Sequence, residues 1–92
     1  MAATDTDRQM AEALSKTLRS HRKRVGKTQE ELAGVAGIDS KYYQSMESGR
    51  GNSSADSVAN PSLQVLRKLA EAYGVSVPDL MWDVFNDGAD DR

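Results

Sequence analysis

Apolar residues recur along this chain with the spacing of amphipathic helices, and no segment shows the sustained alternation that is typical of strands. The first helix is predicted to begin near Thr6, a suitable N-cap, and to end before Gly26, a residue that favours the left-handed conformation at a helix C-terminus. Its apolar stripe has spacings of four, four and seven residues and consists of Met10, Leu14, Leu18 and Val25.

Four shorter helices are predicted to follow, each with a capping residue at its start. Thr28 and Glu31 have the spacing of a capping box, in which each side chain bonds the backbone N–H of the other residue. The predicted segments are about 28–36, 39–48, 61–73 and 76–85. The sequence therefore predicts an all-α fold of five helices.

The chain of 92 residues accounts for one small domain, because two would each be too short to bury a core. Residues rich in glycine, serine and asparagine predict a long loop inside that domain. The expected division is a flexible N-terminus at 1–8, the domain at 9–86 with its loop at 50–60, and a disordered acidic tail at 87–92.

The composition argues against an enzyme. There is no cysteine, and the single histidine, His21, makes a histidine metal site or a catalytic triad difficult to build. We therefore expect no catalysis, no cofactor, no metal and no small-molecule substrate. The longest apolar run has three residues and the N-terminus lacks the parts of a secretory signal, so we expect a cytoplasmic protein without a membrane span.

Charge is distributed unevenly along the chain, whose formal net charge is −2. Residues 1–13 carry a net charge of −2, residues 14–50 carry +4 and residues 51–92 carry −4. A basic centre can bind a polyanion such as DNA, but chance segregation in a short chain gives the same pattern. Charge alone therefore leaves both interpretations open.

Residues 29–48 meet the requirements of a helix-turn-helix, two short helices packed at a steep angle. Ala33 is small enough for close packing, and Gly37, four residues later, permits a positive φ in the turn. Tyr43 and Met46 supply buried anchors on the second of the two helices, and Ile38 fills the space beneath the turn. All these requirements are met in register within 20 residues.

The chain resembles the phage-repressor-like (Cro-like, XRE-type) helix-turn-helix family over about residues 14–85. The segments that carry the resemblance are Arg22 before Gly26, Thr28-Gln29-Glu30-Glu31-Leu32-Ala33, Gly37-Ile38, Met46-Glu47-Ser48-Gly49-Arg50, Pro61-Ser62-Leu63, and Leu69-Ala70 followed by Gly74-Val75. The resemblance implies a compact five-helix DNA-binding domain. It also implies a transcriptional regulator of bacterial or phage origin, a repressor or autoregulator, that binds a palindromic operator as a homodimer.

Base contacts are expected from the third helix, which the resemblance places in the major groove. Lys41 can donate to guanine and Gln44 can pair with adenine, while serines suit several base edges. The same residues also fit an ordinary polar helix surface. The candidate base-contacting residues are Ser40, Lys41, Gln44 and Ser45.

Phosphate contacts are expected around the start of the second helix, where backbone N–H groups and the helix dipole favour an anion. The resemblance places the family's phosphate-contacting glutamine at Gln29. Thr28 is equally a plain N-cap, and Arg50 is equally a solvated loop arginine. The candidate phosphate-contacting residues are Lys27, Thr28, Gln29, Tyr42 and Arg50.

The resemblance also pairs Arg22 with Glu47 in a structural salt bridge between the first and third helices. His21 is expected at the surface, near the side that faces DNA. The loop after Gly49 is longer than is usual in the family, and Tyr43 replaces a smaller aliphatic residue.

The last helix carries more apolar residues than one short terminal helix needs. Leu80 is expected in the core, whereas Trp82 and Phe85 would leave an exposed patch unless covered. We predict that Trp82 and Phe85 form a two-fold homodimer interface, with burial inside the same molecule as the alternative. The fourth helix is predicted to pack with one face, formed by Leu63, Leu66, Leu69, Ala70 and Tyr73.

A second class of function remains open at this point. A protein-interaction module with the same fold that no longer binds DNA would agree with the acidic total charge and the serines of the third helix. The basic centre, with Gln29 and Lys41, favours DNA instead. An antitoxin-type regulator is a further alternative among regulators.

Overall fold

The structure, a computed structural model, describes residues 5–49 and 61–86. All regular structure in these two ranges is helical, which confirms the predicted fold class. The helices are α1 (Asp5–Arg24), α2 (Gln29–Ala36), α3 (Ser40–Glu47), α4 (Leu63–Tyr73) and α5 (Val77–Phe85). None of them is long and apolar enough to cross a membrane.

Local sequence determines most helix ends. A side-chain oxygen accepts a hydrogen bond from the first turn of α2, α3, α4 and α5, so that one of the unpaired N–H groups there is satisfied. Gly37 and Gly74 end α2 and α4 in the left-handed conformation. The capping residues are Thr28, Asp39, Ser62 and Ser76.

The start of α1 differs from the prediction. The helix begins at Asp5, so Thr6 lies inside the first turn and is not the N-cap. Residues 5–8, which the sequence predicts as part of a flexible N-terminus, form the first turn of α1. Asp5 and Asp7 both lie in that turn, where negative charge interacts favourably with the helix dipole. The predicted loop at 50–60 and tail at 87–92 lie outside the described residues.

The core forms where α1 packs against α3 and α5, while α2 packs against α3 and α4 and α4 packs against α5. Ile38 packs against this core beneath the turn. Leu63 is not part of it: its side chain is 73% exposed, because it is the first residue of α4 and lies a turn and a half before the buried segment of that helix. The largest fully buried side chains include Leu18, Leu32, Tyr43, Met46, Leu69, Tyr73 and Leu80.

Candidate nucleic-acid interface

α2 and α3 form a helix-turn-helix joined by residues 37–39. Gly37 has φ 73° and ψ 36°, the left-handed conformation predicted for the turn. Its N–H and the next N–H donate to carbonyl oxygens in the last turn of α2, at 3.2 and 3.0 Å. Asp39 then begins α3, and its side chain accepts from the N–H of Tyr42 at 3.1 Å. The turn is therefore closed by hydrogen bonds on both sides.

α3 has one buried face and one polar face. Tyr43 and Met46 are fully buried and hold the helix against the core. Because the apolar face is the one that packs inward, the polar face is directed to solvent. It carries the four predicted base-contacting residues, of which Lys41 and Gln44 are exposed and Ser40 and Ser45 are half-buried.

The N-terminus of α2 contains a complete capping box. Thr28 Oγ1 accepts from the N–H of Glu31 at 3.1 Å, and Glu31 Oε1 accepts from the N–H of Thr28 at 2.9 Å. The bond from the Thr28 backbone holds the pKa of Glu31 below its ordinary value. In this structure Thr28 acts as an N-cap and its N–H is occupied by the Glu31 carboxylate.

A bidentate ion pair joins α1 to α3. Arg22 Nε donates to Glu47 Oε2 at 2.7 Å, and a terminal guanidinium N–H of Arg22 donates to Glu47 Oε1 at 3.1 Å. The hydrogen bond to Glu47 raises the pKa of Arg22. Burial disfavours the charged carboxylate, but hydrogen bonds from Arg22, Tyr43 and Gln29 outweigh it and lower the pKa of Glu47. The pair is thus ionised and nearly desolvated.

Two predicted phosphate-contacting residues adjoin this ion pair. Gln29 Nε2 donates to Glu47 Oε1 at 3.0 Å, so the side chain at the start of α2 is tied to the end of α3. Arg22 also donates to the backbone oxygen of Lys27 at 3.0 Å. Tyr42 is exposed on α3, whereas Arg50 lies outside the described residues.

Ser15 and Arg19 bind the end of α3 and are not among the residues that the sequence predicted for this site. Both contact the backbone oxygen of Glu47, Arg19 at 2.8 Å, and Arg19 also donates to Ser15 Oγ at 2.9 Å. A signal was present, because Ser15, Arg19 and Arg22 are separated by four and three residues and therefore share one face of α1.

His21 does not lie at the surface, contrary to the prediction. Its ring stacks on Tyr73 with centroids 5.3 Å apart, and Nε2 lies 2.9 Å from Asp83 Oδ2. The side chain is only 11% exposed. The stacking surface and the carboxylate come from α4 and α5, far away in the sequence, and together they hold the ring between three helices.

Tyr43 and Tyr73 form a buried hydroxyl pair with an oxygen–oxygen distance of 2.7 Å. Either hydroxyl of this pair can be the donor. Burial raises the pKa of both phenols far above the ordinary value. The larger residue at position 43 thus adds a polar contact between α3 and α4.

Trp82 and Phe85 are 60% and 65% exposed, so neither side chain belongs to the core that the described residues form. Leu80 is fully buried, as predicted, and Val84 is 3% exposed. α5 therefore has an inward apolar face and a second, outward apolar face.

Comparison with known proteins decides the family. Residues 13–81 match the family model of a helix-turn-helix domain. The chain belongs to the helix-turn-helix family. This helix-turn-helix chain is 37% identical over 68 residues to the HTH-type transcriptional regulator DdrOP3 of Deinococcus deserti, a match that covers 74% of the chain and 46% of the relative. The chain thus spans about half the length of that regulator.

Solved helix-turn-helix regulators have the same fold. The clp gene regulator ClgR from Corynebacterium glutamicum superposes with a TM-score of 0.71 at 30% identity, covering 87% of this chain and 77% of that one. The biofilm master regulator SinR, solved in complex with DNA, superposes with a TM-score of 0.60 at 32% identity. The match covers 74% of this chain and 97% of that one. These relatives are regulators and not enzymes, which confirms the prediction that this chain is not an enzyme.

Proposed function

We propose that this helix-turn-helix protein is a sequence-specific DNA-binding transcriptional regulator that inserts α3 into the major groove. The observation that carries the proposal is the division of α3 into two faces. Its apolar side is fully buried, while Lys41 and Gln44 extend from the opposite side. A short helix held in this way is suited to contact base edges with its N-terminal residues.

The polar face of α3 suits a mixed set of base edges. Lys41 donates to guanine O6 or N7, and Gln44 pairs with adenine. Ser45 Oγ donates to the backbone oxygen of Tyr42 at 2.7 Å, so its lone pairs are what it offers to a base. Ser45 therefore suits an amino group of adenine or cytosine, and Ser40 lies at the start of the helix, next to Lys41 in the sequence.

Phosphate contacts orient the domain on the duplex in this proposal. Gln29 stands at the start of α2 with one amide N–H on Glu47, and its second N–H is available geometrically for a phosphate oxygen. Lys27, Thr28, Tyr42 and Arg50 complete the proposed set. Because these contacts release counterions, affinity should fall steeply with salt concentration.

The remaining parts of the proposal concern how the protein dimerises and how DNA binding affects transcription. We propose a homodimer that joins through Trp82 and Phe85 on α5 and binds a palindromic operator, because a two-fold protein matches a two-fold site. Occupancy of such an operator represses transcription, and the protein acts in the cytoplasm where that DNA lies. The DNA complex solved for SinR, a protein with the same fold, supports DNA as the partner.

Selection of bound sequences from a random DNA pool tests this function. The wild-type protein should enrich a palindrome, and Lys41→Ala should relax the preference at one symmetric pair of positions, with a loss of about 5- to 150-fold for each half-site. Lys16→Ala removes the same charge from an exposed position on α1 and is the matched control. It should leave the preferred sequence unchanged.

Two outcomes would contradict the proposal. Enrichment of no sequence, together with no salt-dependent DNA binding, would favour the protein-interaction module instead. A palindrome whose profile is the same for the wild type and for Lys41→Ala would remove α3 as the element that reads bases.

A further inference from the structure

The last turn of α3 is bound by two side chains of α1 through its backbone. Arg19 donates from one terminal nitrogen to the Glu47 carbonyl at 2.8 Å and to Ser15 Oγ at 2.9 Å. Ser15 Oγ in turn donates to the same carbonyl. Arg19, Ser15 and the Glu47 carbonyl therefore form a closed triangle of hydrogen bonds, which we call the carbonyl clamp.

α3 needs such support because it has only eight residues and would not be stable alone. Its last turn contains no basic residue, so cations near its negative dipole end come from another helix. Arg22 binds the Glu47 side chain while Arg19 binds the Glu47 backbone. Two attachment points at one residue restrict both the position and the direction of the helix end.

We propose that Ser15 and Arg19 are positioning residues for DNA recognition, because the carbonyl clamp sets the angle at which α3 enters the major groove. The inference rests on the function proposed above. Ser15 is only 4% exposed, so it can affect DNA binding only through the residues that it contacts, Arg19 and Glu47. A small change in helix angle displaces side chains at base edges more than it affects contacts with phosphates.

Ser15→Ala is the first test, with Ser20→Ala on the exposed side of α1 as the matched control. The measured quantity is the ratio of affinities for the selected site and for unrelated DNA. Both affinities scale with the folded fraction, so a loss of stability cancels in the ratio. Ser15→Ala should lower the ratio about three- to tenfold, whereas Ser20→Ala should leave it unchanged.

Arg19→Gln separates positioning from direct DNA contact, with Arg67→Gln on α4 as the charge-matched control. If Arg19 is a positioning residue, Arg19→Gln should lower the affinity ratio about tenfold or more. The salt dependence of binding to unrelated DNA should not change. An equal loss on all sequences, with a salt slope reduced by about one, would instead identify Arg19 as a phosphate contact and overturn the inference. Arg19→Lys should restore part of the ratio.

Amide hydrogen exchange without DNA examines the clamp independently. Ser15→Ala should speed exchange in α3 while α5 keeps its protection, and Ser20→Ala should change neither. If the wild type selects no site, both proposals fail. If it selects a site and the ratio is the same for the wild type, Ser15→Ala and Arg19→Gln, only the positioning role is overturned.

Discussion

The Glu47 carboxylate is bound by donors from two other helices. Arg22 on α1 donates to both of its oxygens, and Gln29 on α2 donates to Oε1. The Glu47 side chain is 2% exposed, and a charge so buried is tolerated only when it is paired and hydrogen-bonded. Removing one partner would leave the other charge with neither water nor a counter-ion.

Acid should therefore destabilise the protein through Glu47. The pKa of this carboxyl lies below its ordinary value of 4.5, because the hydrogen bonds described above outweigh the effect of burial. A group with a lowered pKa in the folded state contributes its full stabilisation above the unfolded value and loses it as pH falls through the folded value. Denaturant unfolding at pH values from 7 down to 3 should show the loss beginning near pH 4.5.

Glu47→Gln provides the test of that assignment. It should lower the free energy of unfolding at pH 7 by about 3–5 kcal/mol, since it leaves Arg22 without its counter-charge. The substitution should also reduce the fall in the free energy of unfolding between pH 5 and pH 3. Glu71→Gln, which changes an exposed carboxylate on α4, should stay within about 0.5 kcal/mol of the wild type. If the free energy of unfolding falls by the same amount at low pH in Glu47→Gln and in the wild type, another group causes the loss.

Pairing between distant residues is what the sequence predicted least well. Caps such as Thr28 and Ser62 depend on residues three positions away, so local spacing was sufficient to predict them. His21 depends on Asp83, 62 positions away, and on Tyr73. No periodicity along one helix encodes which residue of another helix will face it, so a buried histidine was placed at the surface.

At the scale of elements, the turn between α2 and α3 was predictable because its chemistry is local. Gly37 has a positive φ that costs other residues energy, and its position four residues after Ala33 marks the turn. The face of α4 was only partly predictable. Periodicity identified the stripe but not its end, because Leu63 has the spacing of the stripe and its side chain is nevertheless exposed.

Replacing the turn glycine should destabilise the domain by a purely backbone effect. A Cβ added at Gly37 meets no atom within 4 Å, so Gly37→Ala introduces no clash and should cost about 1–2 kcal/mol through its positive φ alone. Gly34→Ala is the matched control on α2, where the added Cβ also meets no atom within 4 Å. Because Gly34 is helical, this change should stabilise the protein by about 0.5–1 kcal/mol. Thermal unfolding of the two variants should give shifts of opposite sign, and shifts of the same sign would contradict this account.

At the scale of the whole molecule, the two outward surfaces belong to different helices. α3 packs against α1 and α2, whereas α5 packs against α1 and α4. The polar face of α3 and the outward apolar face of α5 therefore belong to helices that do not pack extensively against each other. A two-fold contact through α5 would leave both copies of α3 exposed, which is what two half-sites about 34–36 Å apart require.

Trp82→Ala should weaken self-association in that arrangement. Trp82 and Phe85 lie three residues apart on one face of α5, and each side chain would be buried twice in a symmetric dimer. Sedimentation velocity over a dilution series should show a wild-type dimer and a dissociation constant for Trp82→Ala raised by about 30-fold or more. Val35→Ala removes apolar surface from α2, where Val35 is 59% exposed, and should leave the dissociation constant unchanged. A wild type that stays monomeric, or a Trp82→Ala variant that dimerises as the wild type does, would place any two-fold contact elsewhere than on α5.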